Sequence, residues 1–275
     1  MDMKLLVIKD MYQFNYFVCR IDNEMVIKVV SFFVQDGLGD REVAVRGKML
    51  ESALIIVDTH GKEAAEDLLP VFEEFLENAP KSERYDNVRQ AVVILMGSLA
   101  KHLQTTDPKV RPIMRQLIIA LKTPSQSVQE AVANCLPPLV PAIKDEAPDI
   151  VDKLINTLLG SSISFGERKG AAYGIAGIVK GLGILSLKQL DIMGKLTLAI
   201  TDKKNATHRE GALLAFEMLC NMLGRLFEPY IVHILPHLLL CFGDSVEYVR
   251  QAADDTAKAV MSKLSAHGVK LVSDT

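Results

Sequence analysis

A short signature recurs along this chain at nearly constant intervals. Each copy ends in Arg or Gln, which follows a branched or polar residue and precedes a run of small and apolar residues. The six copies are Val45-Arg46, Val88-Arg89, Val128-Gln129, Glu167-Arg168, His208-Arg209 and Val249-Arg250. Their final residues lie 39 to 43 positions apart. A fixed period of this length indicates stacked supersecondary units rather than one central core.

The apolar pattern inside each period predicts two helices joined by a short polar turn. Leu68, Phe72 and Phe75, for example, have the three-to-four spacing that places side chains on one helix face. The predicted helix pairs span residues 25–34 with 41–59, 62–78 with 84–103, 108–121 with 125–141, 149–159 with 167–179, 187–200 with 207–223, and 228–241 with 246–264. Two-helix units of roughly 40–47 residues are typical of HEAT and armadillo repeats. The sequence therefore predicts an all-α, HEAT/armadillo-type superhelical solenoid of about six helix pairs.

The two ends of the chain differ from the regular repeats. Residues 1–24 contain no copy of the signature and are predicted to form an irregular N-terminal segment. Residues 25–275 are predicted to form the repeat array. Val269-Lys270-Leu271-Val272 resembles the start of a further helix, so we expect the array to be truncated at its C terminus.

Acidic residues precede two of the signatures at a constant distance. Asp40 and Asp244 each lie six residues before a signature arginine, in the turn that leads to the second helix. An Asp in that position can accept a hydrogen bond from a turn N–H and cap the helix. The arginine can then meet the Asp of a neighbouring unit. We expect a stacked Asp–Arg ladder, with a partner-binding role for these arginines as the alternative.

Composition excludes several classes of protein. The net charge is −3, from 31 basic and 34 acidic residues, so no overall attraction to nucleic acid is predicted, although a local basic stripe remains open. No apolar stretch reaches the roughly 20 residues of a membrane span, and no secretory signal is evident. The cysteines are far apart and predict reduced, buried thiols in a cytoplasmic protein: Cys19, Cys135, Cys220 and Cys241.

The segment from Gly166 to Gly183 is unusually rich in glycine for a helix. Gly166, Gly170 and Gly174 are predicted on one face, and Gly177 and Gly181 on another. Glycine costs about 1 kcal/mol relative to alanine inside a helix, so close packing against a neighbouring helix is the favoured explanation. The alternative is a surface that a partner chain or an RNA backbone approaches closely. A phosphate-binding loop does not fit, because its Gly-Lys order is reversed here.

The same segment carries a specific family resemblance. The string from Glu167 to Gln189, ERKGAAYGIAGIVKGLGILSLKQ, resembles the general control non-derepressible protein 1 family of very large HEAT-repeat proteins. Further strings over residues 69–76, 209–220, 226–244, 249–255 and 265–272 are similar to the same family. The similarity extends over roughly residues 30–272, and residues 1–24 depart from the family. The matched region is similar to the central part of the family, near the portion like the HEAT domain of fungal elongation factor three.

The resemblance implies a non-enzymatic scaffold in the cytoplasm. Members of this family bind stalled ribosomes and stimulate the general-control kinase in the response to amino-acid starvation. They act with an ABC-type ATPase partner, and the kinase-binding segment of the family lies outside the part that this chain matches. The implied partners are therefore the ribosome, which includes ribosomal RNA, the ABC-type ATPase and, through other regions, the kinase. The resemblance implies no membrane partner and no cofactor.

Few residues suggest chemistry. His233, His237 and Cys241 fall on one face of a predicted helix, but no Glu occupies the position that a zinc protease motif requires. We expect packing rather than metal binding there. No arrangement of Ser, His and Asp indicates a catalytic triad, and the sequence predicts no catalytic, cofactor-binding or metal-binding residue.

Basic residues concentrate in the last three predicted units. Arg168, Lys169, Lys203, Lys204 and Arg209 are the candidates for a surface that faces the ribosome or another partner, because cations on one edge could contact RNA phosphates. Ordinary solvated charge is the alternative. Two other functions remain open from the repeats alone: a generic HEAT adaptor, such as a nuclear-transport receptor or phosphatase scaffold, and an enzyme with a cleft around a residue such as His233.

Overall fold

The computed structural model describes residues 11–80 and 83–263 of the chain. Within those ranges every regular element is helical. The chain divides into two compact units, residues 1–120 and 121–275. None of the described helices is both long and apolar enough to cross a membrane.

The first unit is built around one long helix. Its elements are α1 Met11–Val18, α2 Asn23–Phe32, α3 Val43–Asn78, α4 Glu83–Ala100 and α5 Val110–Ala120. The long helix α3 contacts α1, α2 and α4, and α4 also contacts α5. Phe14, Phe33, Met49 and Phe72 are fully buried among these helices. The helix α1 lies inside the segment 1–24, for which the sequence predicts irregular structure, and residues 1–10 of that segment lie outside the described residues.

The continuity of α3 corrects the predicted repeat boundary. The sequence predicts one helix over 41–59 and another over 62–78, whereas α3 runs unbroken from Val43 to Asn78. Gly61 lies between the two predicted helices and packs closely: a Cβ there would lie 2.5 Å from the Cδ2 atom of His102. Because a glycine only weakens a helix, tertiary contacts can keep the segment helical. In the described part of the first unit, the three helices α2, α3 and α4 therefore take the place of the first two predicted pairs.

The second unit repeats one arrangement of helices. Its elements are α6 Gln126–Leu139, α7 Ala147–Leu159, α8 Phe165–Leu182, α9 Ser186–Gln189, α10 Ile192–Ile200, α11 Ala206–Leu223, α12 Glu228–Cys241 and α13 Glu247–Lys263. The helices α6, α8, α11 and α13 pack side by side in chain order. On another side, α7 packs against α8, α10 against α11, and α12 against α13. These stacked pairs confirm the predicted all-α repeat fold.

Two predicted helices in this unit differ in detail. The helix predicted over 187–200 is interrupted, because Asp191 adopts a left-handed backbone with φ of 51° between α9 and α10. Asp tolerates that conformation better than most residues do. At the end of α6, Pro137 and Pro138 remain within the helix, and the backbone tightens into a 3₁₀ turn only at Val140–Ile143.

The glycines of α8 form a single stripe that meets one neighbouring segment. A Cβ on Gly170 would lie 1.8 Å from the carbonyl oxygen of Leu121, and one on Gly177 would lie 2.9 Å from that of Ala133. Gly166, Gly174 and Gly181 likewise face atoms of Pro124, Leu121, Pro137 and Val140. The prediction of two glycine faces is therefore wrong. Close helix packing is confirmed, and these positions are covered by the chain itself.

Candidate functional site

The signature side chains fasten the turns that precede their helices. Arg46 donates to the carbonyl oxygen of Asp40 at 2.8 Å, and Arg250 does the same with Asp244 at 2.6 Å. Asp40 and Asp244 in turn accept backbone N–H bonds two residues ahead. The predicted turn-capping role of these aspartates is confirmed. Both guanidinium groups thus bind the turn that precedes their own helix.

One pair of repeats is joined by the expected Asp–Arg rung. Arg209 donates through Nε to Oδ2 of Asp244 at 2.7 Å and through Nη2 to Oδ1 at 2.9 Å. Its third nitrogen donates to the carbonyl oxygen of Asp202 at 2.7 Å. The Arg209 guanidinium holds the pKa of the Asp244 carboxyl below its ordinary value. The predicted ladder is confirmed at this rung.

The neighbouring rungs use other chemistry. Gln129, which replaces arginine in its repeat, donates to the carbonyl oxygen of Gly166 in the next repeat at 2.8 Å. Asp202 lies where Asp244 lies one repeat later, but its Oδ2 is 2.9 Å from Nδ1 of His208. Backbone N–H groups, that of Lys204 foremost, and His208 hold the pKa of the Asp202 carboxyl below its ordinary value. Asp202 therefore does not serve as the partner of Arg168.

Arg168 forms a buried ion pair instead. Its Nη2 atom lies 2.5 Å from Oε2 of Glu210, and both side chains are more than nine-tenths buried. Burial of such a pair is costly unless the remaining polar atoms are hydrogen-bonded. Within the described part of the chain, the Nε and Nη1 atoms of Arg168 have no hydrogen-bond partner.

Arg168 lines a groove that runs across three successive second helices. We call it the α8–α11–α13 groove; it has a volume of about 510 Å³, within the usual range for binding sites. Its lining includes Phe165, Arg168, Leu214, Glu217, Tyr248 and Asp255. Phe165 and Tyr248 are large aromatic side chains about half exposed. The groove thus combines apolar walls with charged groups.

Three acidic side chains, Glu210, Glu217 and Asp255, and two basic ones, Arg168 and Lys169, line the groove. Glu217 is half-buried, and burial raises the pKa of its carboxyl, with a further contribution from the nearby Asp255. The nearby Lys169 acts to lower the pKa of Glu217. Its Nζ atom also donates to the side-chain oxygen of Gln126 at 3.3 Å. Burial, with Glu130 and Glu217 nearby, also raises the pKa of Tyr173 to about 12, so that phenol stays neutral.

A second, smaller cavity lies at the turn after α10. It has a volume of about 310 Å³ and is lined by Lys203, Arg209, His237, Leu240 and Asp244 among others. Lys203 and its neighbour Lys204 are exposed in this turn.

Four of the five predicted site residues border two different cavities. Arg168 is buried and Lys169 borders the α8–α11–α13 groove, whereas Lys203 and Arg209 border the smaller cavity. Arg209 is engaged by Asp244, which leaves Lys203 and Lys204 as the exposed cations of the set.

His233, His237 and Cys241 form no metal-binding group within the described ranges. His233 is exposed, whereas Cys241 is buried. Among the residues placed by the structure, no group of three or more His, Cys, Asp or Glu side chains could hold a metal ion. Cys135 and Cys220 are buried as predicted, and burial raises the pKa of the Cys220 thiol to about 11. Cys19 is exposed, so the prediction of burial is wrong there.

The α8–α11–α13 groove was missed by the sequence reasoning, although the period contains its signal. In the last four copies the residue that follows the signature Arg or Gln is Glu130, Lys169, Glu210 or Gln251, and the last three of these line the groove. Because equivalent positions of stacked repeats lie side by side, the residues that follow the signature are expected to lie close together.

Two family models match the chain. HEAT repeats of the stalled ribosome sensor GCN1 match residues 14–101, and the N-terminal HEAT repeat of elongation factor 3 matches residues 168–275. The first match includes residues 14–24, which the sequence analysis places outside the family resemblance. The second agrees with the expected similarity to the HEAT domain of elongation factor three.

Individual relatives match over most of this chain. The human stalled ribosome sensor GCN1 is 66% identical over 252 residues, which are 92% of this chain and 9% of the human protein. Protein ILITYHIA of Arabidopsis thaliana is 49% identical over 89% of this chain and 9% of its own length. The eIF-2-alpha kinase activator GCN1 of Saccharomyces cerevisiae is 40% identical over 90% and 9%, respectively. The chain thus spans about a tenth of the length of these relatives.

Proposed function

This chain is a homologue of one HEAT-repeat segment of the GCN1 proteins, and from that premise we propose that it serves as part of a non-enzymatic scaffold that binds stalled ribosomes. The observation that carries the proposal is the 66% identity with the human stalled ribosome sensor across 92% of the chain. Identity at that level indicates the same fold, and function resides in the sites that such a fold carries rather than in the fold itself.

The proposal extends to the kinase pathway. Relatives from Dictyostelium discoideum and Saccharomyces cerevisiae bear the name eIF-2-alpha kinase activator GCN1. Because this chain corresponds to about a tenth of their length, we propose that it contributes ribosome contact in the cytoplasm, and that kinase contact is made by other regions. An ABC-type ATPase is the further partner that we propose for the scaffold.

The turn that contains Lys203 and Lys204 is the part of the proposed basic edge that is free to meet RNA. Both side chains are exposed, whereas Arg168 and Arg209 are held by Glu210 and Asp244. A lysine that neutralises a phosphate releases counterions, so such a contact weakens as salt rises. The ribosome-facing role is therefore assigned to Lys203 and Lys204, with the two arginines as supports of the turn.

Sedimentation through polysome gradients tests both parts of this proposal. The tagged chain is expressed in cells with and without amino-acid starvation, and its distribution across free, monosome and polysome fractions is measured. We expect co-sedimentation with ribosomes that increases on starvation. A chain that stays at the top of the gradient in both conditions would contradict ribosome binding.

The variant Lys203→Glu/Lys204→Glu tests the assigned edge in the same assay. We expect ribosome association at low salt to fall by about tenfold, since two phosphate contacts are replaced by repulsion. Lys144→Glu/Lys153→Glu, a pair of exposed lysines in the same unit, is the matched control and should retain binding. Equal binding by all three proteins across salt concentrations would remove the turn from the interface.

A further inference from the structure

The α8–α11–α13 groove contains polar groups that the fold leaves unused. Arg168 is more than nine-tenths buried, yet its Nε and Nη1 atoms have no hydrogen-bond partner in the described part of the chain. A buried donor without a partner costs free energy, so such a group requires an explanation. A ligand group that accepts a hydrogen bond, such as a peptide carbonyl oxygen, would satisfy it.

The carboxylates of the groove provide a second, independent indication. Glu217 has no ion pair or hydrogen bond among the described residues; Lys169 lies near enough to favour its charge, and Asp255 near enough to disfavour it. Asp255 itself is only weakly engaged, by Gln251 at 3.3 Å and Lys258 at 3.5 Å. Two like charges held together in a half-buried site are complementary to one cationic group.

The walls of the groove suit the stem of such a cation. Tyr248 and Phe165 are about half exposed at its edge, and Leu214 lies between the helices that carry them. Aromatic rings bind the alkyl stem and the charged head of Arg or Lys side chains. The volume of about 510 Å³ accommodates side chains of a bound segment.

We propose that the α8–α11–α13 groove docks a peptide segment of a protein partner that carries an Arg or Lys side chain. The cation lies between Glu217 and Asp255, its stem lies along Tyr248, and Arg168 donates to a backbone carbonyl oxygen of the segment. RNA is disfavoured here because its phosphates would meet these carboxylates. This docking role is separate from ribosome binding and does not depend on it.

Fluorescence anisotropy with the whole chain tests the proposal. The probes are a labelled short peptide of repeating Gly-Arg-Leu, its counterpart of repeating Gly-Glu-Leu, and an oligouridylate of similar length. We expect saturable binding of the Arg peptide alone. Stronger binding of the Glu peptide or of the oligouridylate, or no saturable binding of the Arg peptide, would overturn the assignment.

Matched variants separate groove binding from general attraction to an acidic protein. Glu217→Gln/Asp255→Asn is expected to weaken binding of the Arg peptide by about tenfold or more, because both partners of the cation are removed. Glu66→Gln/Asp67→Asn removes the same charge from exposed positions on α3 and should leave affinity unchanged. Equal weakening by both pairs would show that the peptide binds non-specifically.

The folded state of the groove variant can be checked independently. Burial raises the pKa of Glu217, so its ionisation lowers the stability of the fold progressively as pH rises above the unfolded-state pKa, and the full cost is present above the raised folded-state pKa. We therefore expect Glu217→Gln to raise the midpoint of thermal unfolding at pH 7. A variant that is more stable yet binds the Arg peptide more weakly would locate the loss in the groove itself, and a more stable variant with unchanged affinity would contradict the proposal.

Discussion

At the scale of single residues, equivalent signature positions make different bonds. Arg209 makes a two-pronged contact with the carboxylate of Asp244, Gln129 reaches a carbonyl oxygen, and Arg168 turns to a buried glutamate. The identity of the preceding side chains decides among these outcomes, since His208 already engages the carboxylate that Arg168 would use. The signature side chain therefore recurs at the same position of each repeat, whereas its neighbours determine which bond it makes.

The Arg209–Asp244 rung predicts a pH-dependent stability. We expect Asp244→Asn to lower the unfolding free energy at pH 7 by about 1–3 kcal/mol, the usual contribution of a charged hydrogen bond. Because the folded-state pKa of Asp244 is depressed, this contribution is complete above the unfolded pKa of about 3.9 and disappears as pH falls through the folded value.

Urea unfolding of both proteins between neutral and acidic pH measures this difference. Asp67→Asn, an exposed position on α3, is the control and should change little at any pH. A difference between Asp244→Asn and the parent that persists at the lowest pH would show that the rung acts through packing rather than through charge.

At the scale of elements, the glycine stripe determines how closely α8 can approach the preceding segment. Gly170 and Gly177 face carbonyl oxygens that any side chain would strike. These glycines lower the intrinsic stability of the helix, and the close backbone contact that they allow compensates for this cost. Gly47 in α3 differs, because a Cβ there meets no atom within 4 Å.

Alanine substitutions at these two glycines should have opposite effects. Gly170→Ala forces α8 away from Leu121 and is expected to destabilise the chain by about 1–3 kcal/mol or more, as overpacking does. Gly47→Ala places a better helix former in open space and should stabilise by roughly 0.4–1 kcal/mol. Thermal or urea unfolding of the two variants decides the matter, and destabilisation by both would refute the packing explanation.

Much at this scale follows from the sequence, and the exceptions have physical causes. The helix α12 begins and ends at the predicted residues 228 and 241, because Pro at its start and the apolar spacing act together. The break at Asp191 depends on one residue in a left-handed conformation, for which the sequence has no strong signal. The groove was missed because it requires side chains from three helices. Arg168 was predicted to face a partner, whereas its guanidinium pairs with Glu210 of the next repeat.

At the scale of the whole molecule, stability in the second unit is shared between neighbours. The helices α8 and α11 each have a second helix on either side, whereas the main contacts of α13 within the described ranges are with α11 and α12. In repeat proteins each unit depends mainly on its nearest neighbours. Local opening should therefore be harder where both neighbours are present.

Amide hydrogen exchange of the intact chain tests this gradient. We expect the slowest exchange in α8 and α11 and exchange at least about tenfold faster in α12 and α13, in keeping with a lower local opening energy. Uniform protection across the four helices would mean that the unit opens as one cooperative block.

The unbroken helix α3 constrains changes in chain length. A loop between two helices absorbs an inserted or deleted residue, since its backbone can rearrange. Within α3, one residue gained or lost near Gly61 would rotate everything beyond it by about 100° and carry Leu68 and Phe72 off the buried face. Around Gly61, substitution of an exposed residue such as Lys62 should therefore be tolerated far better than an insertion or a deletion.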